Sequence, residues 1–240
     1  MRAAVCIPTY NELENLERMV TALAGVLDTE QDRVLVVDDG SPDGTGRVAD
    51  RLAAEHPWVH VLHRERKEGI GRAYLAAFAL LLPEQPEFVL EMDCDFSHDP
   101  RDVPRLIATC ADGTDLALGS RYVDGGRTRN WSLLRRAISR GGCMYAQALL
   151  GVGVRDLTGG FKCFRRAVLE SIDLGAVTTN GYAFQIELTY RALRKGFRVQ
   201  EIPITFVDRE VGGSKMSRAI VVEAAWKVPA LKLRALTGRL

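Results

Sequence analysis

Short, almost wholly apolar segments alternating with segments of helical period constrain this chain most. Residues 3–7 are an apolar run ended by Pro8, and residues 34–37 a second, stopped by Asp38-Asp39-Gly40. Residues 58–62, 88–92 and 116–118 repeat the pattern, the fourth run leading into Asp93-Cys94-Asp95. Between them, residues 12–27 place Leu13, Leu16, Met19, Val20, Leu23 and Leu27 at helical spacing, with Asn11 as the expected N-cap. Residues 43–55, 70–82 and 102–110 read as further helices. Strands without a polar face need cover on both sides. The pattern therefore predicts an α/β fold with a mostly parallel sheet flanked by helices. In such sheets ligands bind beyond the carboxyl ends of the strands, where the polar clusters after strands one, two and four fall.

The pattern changes after Arg121. Residues 124–130 read as a polar, glycine-bearing loop, 132–150 as a long amphipathic helix, and 156–162 as a Gly-rich turn. Residues 181–194 are expected to be helical and 197–207 a strand. Residues 210–215 are a loop, and 217–233 a basic amphipathic helix kinked at Pro229. No repeat or linker interrupts the chain. Residues 1–215 are expected to form the main domain, with 216–240 a C-terminal helix of the same compact unit.

With 26% charged and 47% hydrophobic residues, the 240-residue chain is not compositionally disordered. Cys6, Cys94, Cys110, Cys143 and Cys163 have no metal-type spacing and read as small buried hydrophobes in a reducing compartment. No run reaches the roughly 18–20 apolar residues of a membrane span, and the N-terminus lacks signal-peptide design. The expectation is a cytoplasmic protein, soluble or peripheral on a membrane. The net charge of +1 hides an asymmetry: residues 1–100 carry 9 Lys/Arg against 19 Asp/Glu, and residues 101–240 carry 23 against 12. A basic C-terminal half suggests an anionic partner. Arg outnumbers Lys 26 to 6, which genomic base composition explains equally well.

Several clusters carry chemistry. Asp93 and Asp95, two residues apart on a turn, can both reach one hard divalent cation, Mg²⁺ or Mn²⁺, which usually bridges nucleotide phosphates. An isolated pair is more often an ordinary acidic turn; its place at the ligand edge favours the metal. Asp38 and Asp39, crowded at a strand end, need donors such as ribose hydroxyls or base N–H groups, or else form a turn and helix cap. At the same edge Tyr10 can pack on a base and Glu12 can accept from base or ribose; the other reading is a helix start. Arg121, Arg127, Arg129, Arg135, Arg136 and Arg140 form a cationic stretch suited to phosphate, part of it a solvated helix face. Arg209 and Lys215 flank Gly212-Gly213-Ser214, a surface turn or a basic loop that could close over a diphosphate. There is no GxGxxG after the first strand and no P-loop. His56, His60, His63 and His98 make no zinc constellation.

Pro8-Thr9-Tyr10-Asn11-Glu12, Val37-Asp38-Asp39-Gly40-Ser41-Pro42-Asp43-Gly44-Thr45 and Met92-Asp93-Cys94-Asp95 resemble the family-2 glycosyltransferases of GT-A fold. With Gly119-Ser120-Arg121-Tyr122, Ile138-Ser139-Arg140-Gly141, Asp156-Leu157-Thr158-Gly159-Gly160-Phe161-Lys162 and Phe206-Val207-Asp208-Arg209 through Ser214-Lys215, the ordered set is similar to the polyprenyl (dolichyl) phosphate mannose synthases over residues 5–216. That resemblance implies transfer of mannose from GDP-mannose to a polyprenyl phosphate. It implies that Pro8, Tyr10, Glu12, Val37 and Asp39 line the nucleotide pocket. By the same likeness, Asp93 and Asp95 bind metal and diphosphate, Cys94 adds backbone contacts, and Arg121, Arg209 and Lys215 grip phosphates. Cys94 and Ser97 stand where some relatives have Ala and Gln. Some relatives also carry C-terminal membrane helices that are not seen here.

The implied reaction needs no general base, because a phosphate monoester is already ionised near neutral pH. It needs positioning and charge neutralisation, for which Asp95 and Arg121 are the expected catalytic residues, with Arg121, Arg135 and Arg140 on the acceptor phosphate. A direct, inverting displacement is expected. Residues 132–150 and 217–233 join basic residues to apolar faces, as interfacial helices do, which suggests docking on the cytosolic face of a membrane. Packing against the sheet, or an integral membrane partner, remain alternatives. A polyprenyl-phosphate glucosyltransferase, another family-2 lipid-phosphate glycosyltransferase and a non-catalytic membrane-binding module are the competing functions. No nucleic acid is expected as partner.

Overall fold

In the computed structural model, which describes residues 1–208, 218–237 and 240, the apolar runs become strands of one sheet. They are β1 (Ala3–Thr9), β2 (Arg33–Asp38), β3 (Val59–His63), β4 (Phe88–Glu91) and β5 (Leu116–Ser120), joined by β7 (Lys162–Arg165) and β8 (Val199–Pro203). The order is β3-β2-β1-β4-β7-β5-β8, with β7 antiparallel to both neighbours and every other pairing parallel. Alternate residues of each strand enter opposite layers. Val5, Ile7, Val34 and Val36 meet α1 (Leu16–Ala24), α2 (Thr45–Glu55) and α4 (Val103–Ala111). Cys6, Leu35, Val37 and Val89 meet α3 (Ile70–Leu81), α6 (Arg166–Ser171) and α7 (Gly181–Arg194). Each large side chain buried this way contributes about 1.5–3 kcal/mol. All five cysteines are free and buried within these layers or beside them, as expected.

Five local expectations are corrected. Asn11 does not cap a helix: its φ is +58°, and α1 starts only at Leu16. The loop after β2 holds the intervening amides, with Ser41 Oγ accepting from Asn11 N at 3.0 Å and Thr45 Oγ1 from Glu12 N at 3.0 Å. Pro8 does not end β1, which continues to Thr9; the β4 ladder has already stopped at Cys6, so no neighbour on that side needs an amide there. The 124–130 loop contains β6 (Arg127–Arg129), and the expected 197–207 strand is two: β8 in the main sheet and β9 (Thr205–Val207), which pairs with β6 in parallel. The fifth correction, β7, has consequences for the site.

β7 opposes Lys162 to Glu91 on β4 and to Leu118 on β5. An antiparallel strand begins where its parallel neighbours end, so the preceding turn arrives at their carboxyl edge. Lys162 is fully buried and donates to the carbonyl and the Oε1 of Gln185, at 2.8 and 2.5 Å. Burial pushes Glu91 up to about 7 against the pull of Lys162, and lowers Lys162 to about 8. The register faces the two across the ladder, where each charge offsets part of the other's burial through space, while both Glu91 carboxylate oxygens are buried without a hydrogen-bond partner among the described residues.

α5 (Leu133–Leu150) and α8 (Arg218–Leu236) pack together rather than on the sheet, through Ala146 and Leu150 against Val228, Leu231 and Ala235, with Ile186 and Tyr190 of α7 beneath. α8 continues through Pro229. No helix among the described residues is long and apolar enough to cross a membrane.

Candidate active site

Because β2, β1 and β4 are adjacent and parallel, the loops that follow them open on one cleft of about 500 Å³. Its walls include Pro8, Tyr10, Glu12, Asp39, Asp93, Cys94, Asp95, Arg121 and Arg135. Val37 is not in the wall: its side chain is fully buried in the α3-side core, and its carbonyl accepts from Thr9 Oγ1 at 3.3 Å. Arg140 is exposed on α5 and stacks over Tyr122 at 5.7 Å, outside the cleft. Arg209, Lys215 and the 210–215 loop lie outside the described residues.

The two adjacent acids after β2 find protein donors and part company. Asp38 accepts from Ser41 Oγ at 2.5 Å and does not line the cleft. A Cβ at Gly46 would lie 2.9 Å from its Oδ2, so close helix approach there needs glycine. Asp39 does line the cleft and accepts from Arg64 Nη1 at 2.5 Å. Burial raises its pKa, against the charge of Arg64. Lys67 Nζ lies 4.1 Å above the Tyr10 ring, a cation–π contact on the same wall.

Asp93 and Asp95 leave the sheet on an irregular turn. Phe96, at φ +59°, is a bulky residue in the left-handed region, which costs roughly 1–3 kcal/mol. The bend it makes lets Ser97 N donate to Asp95 Oδ1 at 3.1 Å. Ser97 Oγ is buried in the cleft wall with no hydrogen-bond partner among the described residues. Two carboxylates and an unserved hydroxyl are a hard, all-oxygen donor set, the kind Mg²⁺ or Mn²⁺ uses with substrate phosphates completing the shell. Among the described residues no group of three or more His, Cys, Asp or Glu could hold a metal alone.

His98 was not singled out by sequence, although it follows the acid pair by three residues. It is buried in the wall, stacked on Phe161 at 4.7 Å, and its Nδ1 accepts from Asp93 N at 3.1 Å, which assigns the proton to Nε2. Burial lowers its pKa to about 4, with Asp95 pulling upward and Arg121 downward. A neutral imidazole this acidic anchors the backbone of Asp93 and is no base near neutral pH.

Arg121, at the end of β5, is also buried. Asp156, brought to it by the turn before β7, accepts from its Nε at 2.7 Å, its Nη2 at 2.5 Å and its backbone N at 2.9 Å. Thr158 Oγ1 accepts from Nη2 at 2.8 Å. Burial alone would lower the Arg121 pKa; the Asp156 charge and hydrogen bonds outweigh it and raise it. Asp156 and Thr158 stood in a Gly-rich turn in the sequence, with nothing to pair them to Arg121.

The fold is that of a sugar-transferring enzyme, and the chain belongs to glycosyl transferase family 2, which it matches over residues 4–173. It is 50% identical to the polyprenol monophosphomannose synthase of Mycolicibacterium smegmatis, over 100% of this chain and 89% of that protein. It is 47% identical to the undecaprenyl-phosphate mannosyltransferase of Micrococcus luteus (95% and 93%) and 34% identical to the dolichol-phosphate mannosyltransferase of Pyrococcus furiosus (93% and 61%). Its fold is that of glucosyl-3-phosphoglycerate synthase from Mycobacterium tuberculosis, solved with Mn²⁺, UDP-glucose and phosphoglyceric acid: TM-score 0.71 at 18% identity, over 96% of this chain and 79% of that one. The expected α/β architecture, a mostly parallel sheet flanked by helices, is thereby borne out.

Proposed function

We propose that this chain transfers mannose from GDP-mannose to a polyprenyl phosphate, with inversion, giving polyprenyl phosphate β-mannose and GDP. The observation that carries the reading is a single cleft that joins an acid pair to two arginines, Arg121 and Arg135. The named relatives support the lipid-phosphate mannosyl class.

Pro8, Tyr10, Glu12 and Asp39, backed by Val37, hold the nucleoside. Asp93, Asp95 and the Cys94 backbone hold the diphosphate and a divalent cation. When bound, that cation offsets the negative charge of the departing GDP. Arg209 and Lys215 are assigned to the same phosphates from the sequence alone. Arg121 and Arg135 position the acceptor phosphate, and Arg140 is its outer approach. The acceptor oxygen attacks C1 of the mannose as the C1–O bond to the diphosphate breaks and its electron pair leaves on GDP. A phosphate monoester with second pKa about 6 is already ionised, so no residue need take a proton. The neutral, backbone-bonded state of His98 is consistent with that.

The acceptor's tail needs an apolar neighbourhood. Leu133, Leu134 and Met144 on α5 and Trp226, Leu233 and Leu236 on α8 are all exposed, and Arg136 and Arg140 accompany them. These helices would lie on the cytosolic face of a membrane, alone or beside an integral membrane protein. In flotation with anionic liposomes at low salt, the wild type should rise with the vesicles, and the Leu133→Asp/Leu134→Asp variant should rise several-fold less. Equal flotation would remove α5 from the interface.

The deciding assay incubates the protein with radiolabelled GDP-mannose, Mg²⁺ and a short polyprenyl phosphate, and counts label in the organic phase. Label with a β linkage by NMR is expected. An α linkage would overturn the inverting step, and label from UDP-glucose in place of GDP-mannose would overturn the donor.

A further inference from the structure

Trp131 and Asp208 follow β6 and β9, and since those strands run in parallel both emerge at one end, beside Arg135 in the first turn of α5. Trp131 is 7% exposed and lines the cleft, yet its Nε1–H is buried with no hydrogen-bond partner among the described residues. Arg135 Nε is in the same state. The Arg135 guanidinium lies 4.3 Å from the indole and that of Arg121 5.4 Å, so two cations bear on this one ring. Phe206 packs edge-on against it at 5.4 Å.

Buried donors without an acceptor are rare and destabilising. Two on contacting side chains, beside two guanidiniums each paired to one carboxylate, form a place that among the described residues lacks acceptor oxygens for both N–H groups. Asp208 supplies a carboxylate to Arg135 Nη1, and no described residue serves the other two donors. A phosphate monoester has three terminal oxygens and can serve all of them.

We propose that Trp131 donates its indole N–H to the acceptor's phosphate, and that Asp208 holds the phosphate's place on Arg135 until the acceptor displaces it. This rests on the acceptor reading above and extends it from charged residues to an uncharged donor and a displaceable carboxylate. Exchange of one anion for another keeps Arg135 paired throughout, so the acceptor enters without leaving a half-buried charge unneutralised.

Two variants move in opposite directions. Trp131→Phe keeps an aromatic face for both guanidiniums and removes only the N–H. Its KM for polyprenyl phosphate should rise about tenfold or more, with the KM for GDP-mannose changed less than twofold. Asp208→Asn removes the competing charge and should lower the acceptor KM several-fold. A structural role for both residues would instead raise KM or lower kcat in each. Binding is read separately in a Trp58→Phe/Trp226→Phe background, where Trp131 is the remaining tryptophan of three. Farnesyl phosphate should change its fluorescence saturably, and farnesol should not. An unchanged acceptor KM in Trp131→Phe, or an equal response to farnesol or to inorganic phosphate at the same concentration, would overturn the proposal. If the wild type moves no mannose from GDP-mannose, the donor reading fails while the fluorescence titration still decides the role of Trp131.

Discussion

Replacing Asp95 with alanine is expected to lower mannosyl transfer by about a thousandfold or more while the protein stays folded. Asp95 is 8% exposed, sits in the cleft wall, and is aimed by the bend at Phe96 and the Ser97 N–H. The substitution removes one of the two carboxylates in an all-oxygen donor set, and with it charge that no neighbour replaces. Loss of the hydrogen bond from Ser97 N costs about 1 kcal/mol, and thermal unfolding measured beside the assay separates any loss of stability from the loss of transfer. Asp95→Asn keeps the shape and an oxygen for Ser97 N, and should be nearly as inactive if charge is what matters. A chelator should abolish wild-type transfer, and added Mg²⁺ or Mn²⁺ should restore it. Asp95→Ala retaining more than a tenth of wild-type activity would sink this assignment.

The largest effect on stability is expected at Asp156. Asp156→Ala leaves the Arg121 guanidinium buried and charged without its counter-ion, a loss of about 3–5 kcal/mol. Asp156 is fully buried and takes three hydrogen bonds from Arg121, while Glu201 holds the Asp156 and Arg155 amides at 2.9 and 2.7 Å. Arg121→Met/Asp156→Ala removes both charges and should be less destabilised than the sum of the two single variants, the sign of a coupled pair. Urea denaturation at neutral pH measures all three. A loss below about 1 kcal/mol in Asp156→Ala would mean that Arg121 has another counter-charge, and would end the argument that this turn aims it.

The sheet's parallel strands were legible in the sequence because cover on both faces removes the polar alternation and leaves unbroken apolar runs such as Val34–Val37. The acid pair was legible for the same reason: Asp93 and Asp95 interrupt such a run abruptly, and that interruption marks a strand's carboxyl end. Asp39 lines the cleft at the strand end where its sequence placed it, but its donors were not legible. Crowding of two acids left open an outside donor or a turn and helix cap; the fold supplies Ser41 to Asp38 within the turn and Arg64, 25 residues away, to Asp39.

Other features were settled only by the fold. β7 is four residues long, too short for any period, and its buried Lys162 is accommodated only by the fold, with Gln185 accepting from it and Glu91 opposite it on β4. Arg121 and Asp156 are 35 residues apart, and Arg135 and Asp208 are 73 apart. What the sequence determined by itself is whatever local periodicity encodes: the alternation of strands and helices, and the polar clusters at strand ends. What tertiary structure alone decided is which of those clusters meet and which charges are neutralised. Such choices depend on burial and on partners distant in the chain, and neither leaves a mark on neighbouring residues.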